Sequence, residues 1–398
     1  MPTAVIVDAV RTAGGKRNGR LSGWHPADLA AETLKALVER NQLDPALVDD
    51  VIMGCVMQVG AQSINIARNA VLAASFPESV PATTVDRQCG SSQQSLHFAA
   101  QGVMAGAYDV AIAAGVEVMS LVPMGASVAV PNVGVPFGPR VEERYRAVGG
   151  LVPQGISAEM IADQWGLTRE ELDAFGARSQ QLAARATAQG RFEREIVAVP
   201  ARLRDRETGK IVESGELVAT DDGIRPGTTA ETLAALKPAF KPDGKVTAGN
   251  SSQITDGASA VLVMSEEKAA ALGLTPRARF HAFALAGVDP VTMLSGPIPA
   301  TSKVLERAKL TLDDIDLVEI NEAFASVVLA WAREHHPDMD KVNVNGGAIA
   351  LGHPLGASGT KLAATLLNEL ERSGGRWGLL TMCEGGGLAN ATVIERLG

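Results

Sequence analysis

Leu310-Thr311-Leu312-Asp313-Asp314-Ile315-Asp316-Leu317-Val318-Glu319-Ile320 is one half of a repeated phrase. Leu43-Asp44-Pro45 and a short helical turn lead in the same way into Asp49-Asp50-Val51-Ile52-Met53-Gly54. Setting Asp50 against Asp316 places the copies 316 − 50 = 266 positions apart. The correspondence continues outward. Ala82 to Val85 reads as a strand running to Cys89, and Ser91 to Met104 has a helical pattern. Lys341 to Val344 likewise reads as a strand, followed by a glycine-rich turn and a helix from about Ser358. Asp109 to Ala114, closed by Gly115, pairs with Gly378 to Met382, closed by Gly385-Gly386-Gly387. Three matched elements in one order read as a duplicated α/β unit, one copy at each end of the chain. Alternation of strand and helix predicts mostly parallel sheets covered by helices. Ala4 to Val10 supplies a buried strand, and Leu29, Thr33 and Leu37 mark the helix that begins near Pro26.

Residues 121–246 break the pattern. Pro123, Pro131, Pro136, Pro139 and Pro153 come first, then a charged helix over Thr168 to Gln189. A stretch rich in Gly, Pro and charges follows, from Arg202 to Lys245. This reads as an insertion in the first unit that lies over a site as a lid. The expected division is 1–120 plus 247–275 as the first half, 121–246 as the inserted domain, and 276–398 as the second half.

Composition narrows the function. The chain has 398 residues, 46% hydrophobic and 20% charged, which is ordinary globular usage. A net charge of −9 without a Lys/Arg block argues against nucleic-acid binding. Three cysteines, Cys55, Cys89 and Cys383, make no disulfide framework, and neither they nor the histidines have metal spacing. Asp8 and Arg11 arrive too early for a signal peptide, and no apolar run reaches transmembrane length. The expectation is a reduced, cytoplasmic protein with no membrane association and no metal.

Four segments carry candidate chemistry. Cys89 lies where a strand ends and a helix begins, in Asp86-Arg87-Gln88-Cys89-Gly90-Ser91-Ser92. A thiol there meets free N–H groups and the positive end of the helix dipole, which favour thiolate and an oxyanion. Equally, Cys packs as a small apolar residue, and Cys55 fits that reading better. His353 sits among glycines in Asn345 to Gly359. As a neutral imidazole it could take a thiol proton, or merely bond backbone. Cys383, in Met382-Cys383-Glu384-Gly385-Gly386-Gly387, is either a second working thiol or a buried strand-end residue. Asn321, in Glu319-Ile320-Asn321-Glu322-Ala323-Phe324, either caps a helix or orients a water. Strand ends of α/β sheets are where ligand sites gather, and the repeat brings both units' tips together.

These four segments, in this order and spacing, resemble the thiolase family over nearly the whole chain. The resemblance implies a five-layer αβαβα core of two similar halves and an inserted loop domain that binds coenzyme A. It implies that Cys89 is the nucleophile, that His353 activates it, and that Cys383 protonates the departing enolate of acetyl-CoA. One oxyanion site would use His353 and a water held by Asn321. The other would use the N–H groups of Cys89 and Gly385. Coenzyme A contacts carried over are Arg225, Thr232, Leu236, Ala248, Ser252, Ala323, Phe324 and Met293. Acyl-CoA and coenzyme A are then substrates, no separate cofactor is needed, and a homodimer or homotetramer is expected. The reaction implied is thiolysis of 3-oxoacyl-CoA; the alternative is condensation of two acetyl-CoA by the same residues. The chain departs from the pattern at Ser92, where many members have Gly. It departs again at Glu384, where a small or apolar residue is usual. Pro153-Gln154 stands where short-chain members carry His-Met, which counts against a preference for acetoacetyl-CoA. The likeness is greatest to degradative bacterial thiolases, including actinobacterial ones of fatty-acid and steroid breakdown.

Overall fold

The computed structural model describes residues 2–398. The first half contains β1 (Ala4–Thr12), α1 (Pro26–Arg40), β2 (Asp50–Gly54), α2 (Ile66–Ala73), β3 (Ala82–Val85), α3 (Ser91–Met104) and β4 (Val110–Val118). The insertion adds α4 (Gln154–Gln164), α5 (Arg169–Ala188) and the short α6 (Ala230–Ala234). It also carries a two-stranded sheet of Val199–Arg204 with Ile211–Val218. Strand β5 (Thr255–Ser265) then returns to the first sheet. The second half contains β6 (Ala278–Gly287), α7 (Pro297–Ala308), β7 (Leu317–Ile320), α8 (Ala325–His335), α9 (Ser358–Ser373), β8 (Trp377–Glu384) and β9 (Leu388–Arg396).

The repeat is real, and its register is one residue longer than the sequence reading. The starts of β2 and β7, of α3 and α9, and of β4 and β8 are each 267 positions apart (317 − 50, 358 − 91, 377 − 110). Asp49, not Asp50, is the counterpart of Asp316. The Asp49 carboxylate accepts the N–H of Asp109 at 2.7 Å and of Val110 at 2.9 Å. The Asp316 carboxylate accepts those of Arg376 at 2.7 Å and Trp377 at 2.8 Å. In both halves an aspartate therefore caps the start of the neighbouring strand.

The strands run in the order β3-β2-β4-β5-β1 in one half and β6-β9-β8-β7 in the other. The expectation of mostly parallel sheets is corrected. Along this path, among the described residues, β2 with β3, β2 with β4 and β7 with β8 pair in parallel and the other neighbours pair antiparallel; off it, β1 also takes the short strand Ile196–Val197 of the insertion in parallel. Among the described residues the two sheets are joined in register by two residue pairs, Val5 with Arg279 and Ile6 with Ala278. Lys341 to Val344 is not a strand of the sheet. It makes isolated bridges, Val318 to Val342 and Val344 to Gly346, because Asn343 turns to positive φ and gives its side chain to β7.

Three apolar cores separate five layers. One lies between α1, α2 and the first sheet. The second lies between α7, α8 and the second sheet. The third holds α3 and α9 between the sheets. A helix in that central layer has almost no solvent face, so its polar residues must find partners inside. The halves approach so closely there that side chains are excluded. A Cβ on Gly115 would lie 2.2 Å from the Gly356 carbonyl oxygen and 2.7 Å from the Ala357 Cα. Both obstacles are backbone and cannot swing aside. Gly115→Ala is expected to destabilise the protein by about 1–3 kcal/mol by overpacking. Urea denaturation checks this; a midpoint equal to wild type would contradict the packing described.

Candidate active site

Cys89 is presented by a locked elbow. Asp86 accepts the Gln88 N–H at 2.7 Å, and Gln88 takes a positive φ of 47°. The Ser91 hydroxyl accepts the Arg87 N–H at 2.9 Å and donates to the Gln88 carbonyl at 2.6 Å. Gly90 then caps α3 without any side-chain help. The sulfur is enclosed by Val56, Met57, Met119, Val122 and Leu355, an apolar wall to which both halves contribute.

The expected thiolate is corrected. Burial pushes the Cys89 thiol up to about 12, with the charge of Glu384 next in weight. The Gly385 amide, the Gln154 side chain and Cys89's own amide, which point toward the sulfur, pull the other way. Desolvation outweighs the helix N-terminus, so the resting group is a thiol that needs a base. Cys383 is fully buried, and burial pushes its thiol well above the ordinary value. A negative charge arising on Cys89 or Glu384 would add to that effect.

His353 follows a single helical turn, Ala348–Leu351, and Gly352 with φ 80°. Its backbone N–H reaches the Thr255 hydroxyl at 3.1 Å and the Gln253 carbonyl at 3.2 Å. Nδ1 lies 2.5 Å from the Ser358 hydroxyl, which itself donates to the Pro354 carbonyl at 3.0 Å. With that one proton committed, Nδ1–H is the donor and Nε2 keeps its lone pair. Nε2 lies 3.3 Å from the Asn321 amide nitrogen. Burial, and then the Lys361 charge, lowers the imidazole to about 3, so His353 is neutral at working pH. Leu355, two residues on, is part of the wall around Cys89.

Behind the nucleophile, both carboxyl oxygens of Glu384 and the side-chain oxygen of Asn390 are buried without a hydrogen-bond partner among the described residues. The Asn390 backbone N–H points at the carboxyl but stays outside hydrogen-bond geometry. A Cβ at Gly90 would lie 1.9 Å from Glu384 Oε1. The acid is thus pressed against the N-cap of α3, where it competes with a Cys89 thiolate for one helix dipole. Burial pushes it well above the usual carboxylate range, against the pull of Arg87. A neutral acid is the form compatible with a thiolate beside it. Glu384→Gln keeps the shape without the charge. It is expected to leave the pH dependence of Cys89 alkylation by iodoacetamide unchanged near neutrality. A downward shift of about one pH unit would show that the carboxyl is ionised there.

Ser252 donates its N–H to the Ala323 carbonyl at 2.9 Å, and Ser251 bridges to Phe324. Met293 shares an apolar cluster with Ala323 and Phe324. Phe240 packs edge-on against Phe324 with centroids 5.9 Å apart. Leu233 and Leu236 crowd Gly249, next to the exposed Ala248. Arg225 is exposed and reaches the Gln253 side chain at 3.4 Å. Thr232 is exposed on α6, with hydrogen bonds only inside that helix's own cap.

Several site residues carried no assigned role in the sequence reading. Gln154 stood out only as a departure, and its contact with Cys89 depends on how the insertion folds back. Ser358 lay in the glycine-rich segment, five residues past His353, and was legible as a hydrogen-bond partner. Glu117 accepts the N–H groups of Val56, Met57 and Gly356 at 2.9, 3.1 and 2.9 Å, so one buried carboxylate stitches the two halves beside Cys89.

Comparison with known proteins agrees with this architecture. Residues 4–267 match the family described as Thiolase, N-terminal domain, and residues 274–396 match Thiolase, C-terminal domain. A steroid 3-ketoacyl-CoA thiolase of Mycobacterium tuberculosis is 50% identical, over 100% of this chain and 95% of that protein. A 3-ketoacyl-CoA thiolase of Bacillus subtilis is 46% identical, over 99% of this chain and 100% of that protein. The crystal structure of the Bacillus anthracis acetyl-CoA acetyltransferase superposes with a TM-score of 0.89 at 40% identity, covering 100% of this chain and 99% of that one. With two family domains spanning almost all of its length on a duplicated five-layer core, the chain belongs to the thiolase family.

Proposed function

We propose that the protein cleaves 3-oxoacyl-CoA with coenzyme A, giving acetyl-CoA and a shortened acyl-CoA through a thioester on Cys89. The observation that carries this is a buried Cys89 at the N-terminus of α3, inside an apolar wall that Leu355, two residues past His353, helps to build, with His353 Nε2 3.3 Å from the Asn321 amide nitrogen. His353 Nε2 takes the Cys89 proton as the sulfur attacks the 3-keto carbon. Collapse of the tetrahedral oxyanion breaks the bond between α and β carbons. The enolate of acetyl-CoA leaves, stabilised by His353 and a water on Asn321, and takes its proton from Cys383. Free coenzyme A gives its thiol proton to Cys383 and attacks the Cys89 thioester. The returning Cys89 thiolate recovers its proton from His353, which closes the cycle. Each oxyanion donor is worth about 10²–10³-fold in rate.

The insertion, residues 121–246, acts as the coenzyme A-binding domain. Its Arg225 is an exposed cation available to the nucleotide phosphates. The neighbouring stretch from Ala248 to Ser252 and the Ala323–Phe324 edge line the path of the pantetheine. The open edge of β3, paired on one side only, supports a homodimer or homotetramer, working in the cytoplasm.

The 46% and 50% identities to 3-ketoacyl-CoA thiolases favour degradation. The likeness to an acetyl-CoA acetyltransferase keeps condensation as the second reading. Thiolysis rates across straight-chain and cyclic 3-oxoacyl-CoA esters decide between them. The proposal expects longer or cyclic esters to exceed acetoacetyl-CoA in kcat/KM. A strong preference for the four-carbon ester contradicts it.

A further inference from the structure

We infer that Lys361 is a positioning residue for His353: its buried ammonium ties down the two carbonyls that precede the imidazole and links their loop to a charge cluster reaching into the insertion. This rests on the assignment of His353 as the base.

Lys361 lies on the central helix α9 and is only 4% exposed. Its Nζ donates to the carbonyls of Leu351 and Gly352, each at 2.7 Å, and these are its hydrogen-bond partners among the described residues. Both carbonyls belong to the end of the Ala348–Leu351 turn. The last carbonyls of a helical turn have no partner within it, and a cation is the group that satisfies them best. Gly352 then swings to positive φ and His353 follows directly. The ammonium therefore fixes the peptide from which the imidazole hangs.

The same ammonium faces a buried cluster. Glu195 and Asp221, from the insertion, and Glu319, from β7, attract it; Arg11, from β1, repels it. Arg11 donates to Glu195 at 2.6 Å and to both oxygens of Asp221 at 2.7 and 3.0 Å. Thr365, one turn past Lys361, donates to Glu195 at 2.9 Å. Gly14 donates its N–H to Asp221 at 2.7 Å, and a Cβ there would lie 2.6 Å from the Leu351 carbonyl oxygen. Strand β1, the insertion and α9 thus meet directly behind the turn that carries His353. The charge has a second effect, since it adds to burial in keeping the imidazole neutral.

Four variants separate positioning from mere support of the fold: Lys361→Met, Lys361→Arg, His353→Asn, and the double variant of Lys361→Met with His353→Asn. Thr365→Val serves as a control that disturbs the cluster without touching the two carbonyls. Thiolysis kcat and KM, the rate of Cys89 alkylation, and Tm are measured for each. Lys361→Met is expected to lower kcat about 100-fold, with KM for coenzyme A within about threefold. Lys361→Arg restores kcat to within about tenfold of wild type, because it returns both donors and the charge. The double variant is no slower than His353→Asn alone, because Lys361 acts through that imidazole. Thr365→Val lowers Tm with little change in kcat. Should Lys361→Met not fold, Lys361→Gln is read by the same criteria. Wild-type kcat in Lys361→Met overturns the inference. So do strictly multiplicative losses in the double variant, or activity that simply tracks Tm across Lys361→Met and Thr365→Val. Wild-type kcat in His353→Asn overturns the assignment of the base instead, whatever Lys361 does.

Discussion

Cys89→Ala is expected to lose thiolysis by at least about 10⁴-fold, the scale seen when a covalent nucleophile is removed. Both half-reactions pass through this sulfur, once as attacking thiolate and once as leaving group. The donors around it survive the substitution, but they have no tetrahedral centre to stabilise. Cys383 cannot stand in. It lies on β8, fully buried, and burial pushes its thiol well above the ordinary value. Structure should be preserved, since the change removes one small buried atom from an apolar wall. Thiolysis assayed beside circular dichroism checks the prediction. A folded variant with undiminished turnover would remove Cys89 from the mechanism.

His353→Asn is expected to cost about 10²–10⁴-fold in kcat, the usual range for a general base. The Cys89 thiol sits at about 12 and the His353 imidazole at about 3, so neither ionises alone near neutrality. The sign follows from those positions. Raising a thiol's pKa lowers its thiolate fraction at neutral pH, so alkylation of the free enzyme rises with pH. Lowering an imidazole's pKa keeps it an acceptor, so no inflection from His353 appears between about pH 5 and 8. In His353→Asn the alkylation rate should fall at neutral pH and approach wild type at high pH, where hydroxide removes the proton. An inflection near pH 6.5 in wild type would mean the imidazole is solvated and titrates normally.

Much of the architecture was legible because strand and helix alternate between clear glycine stops. Ser91–Met104 was read to the residue, α9 begins at Ser358 as expected, and the strand from Ala82, read as running to Cys89, stops at Val85. Two features misled. Strand–helix alternation implies parallel pairing, yet it stops at the insertion, and β5 comes back from there antiparallel to β4. Lys-Val-Asn-Val at 341–344 alternates like a strand, but Asn343 spends its side chain on the N–H and carbonyl of Ile320. That pairing is non-local and leaves no trace in the segment itself.

The chemistry at Cys89 was misjudged for a related reason. A helix N-terminus is visible in sequence, whereas burial between two halves of the chain is not. Gly90 shows both sides of this. As a cap glycine it is readable, but the acid that fills the space beside it comes from Glu384, almost three hundred residues later. Gln154 and Lys361 likewise owe their positions to long-range packing. A lysine on a helix ordinarily reads as a solvated residue, and only the five-layer stack places this one inside.

The most direct test is to mix the protein with a 3-oxoacyl-CoA in the absence of free coenzyme A, quench, and map the adduct by peptide mass spectrometry. One acyl group, shortened by two carbons, should appear on the peptide containing Cys89, with one equivalent of acetyl-CoA released. An acyl group on Cys383, or acetyl-CoA formed with no adduct at all, would contradict the account.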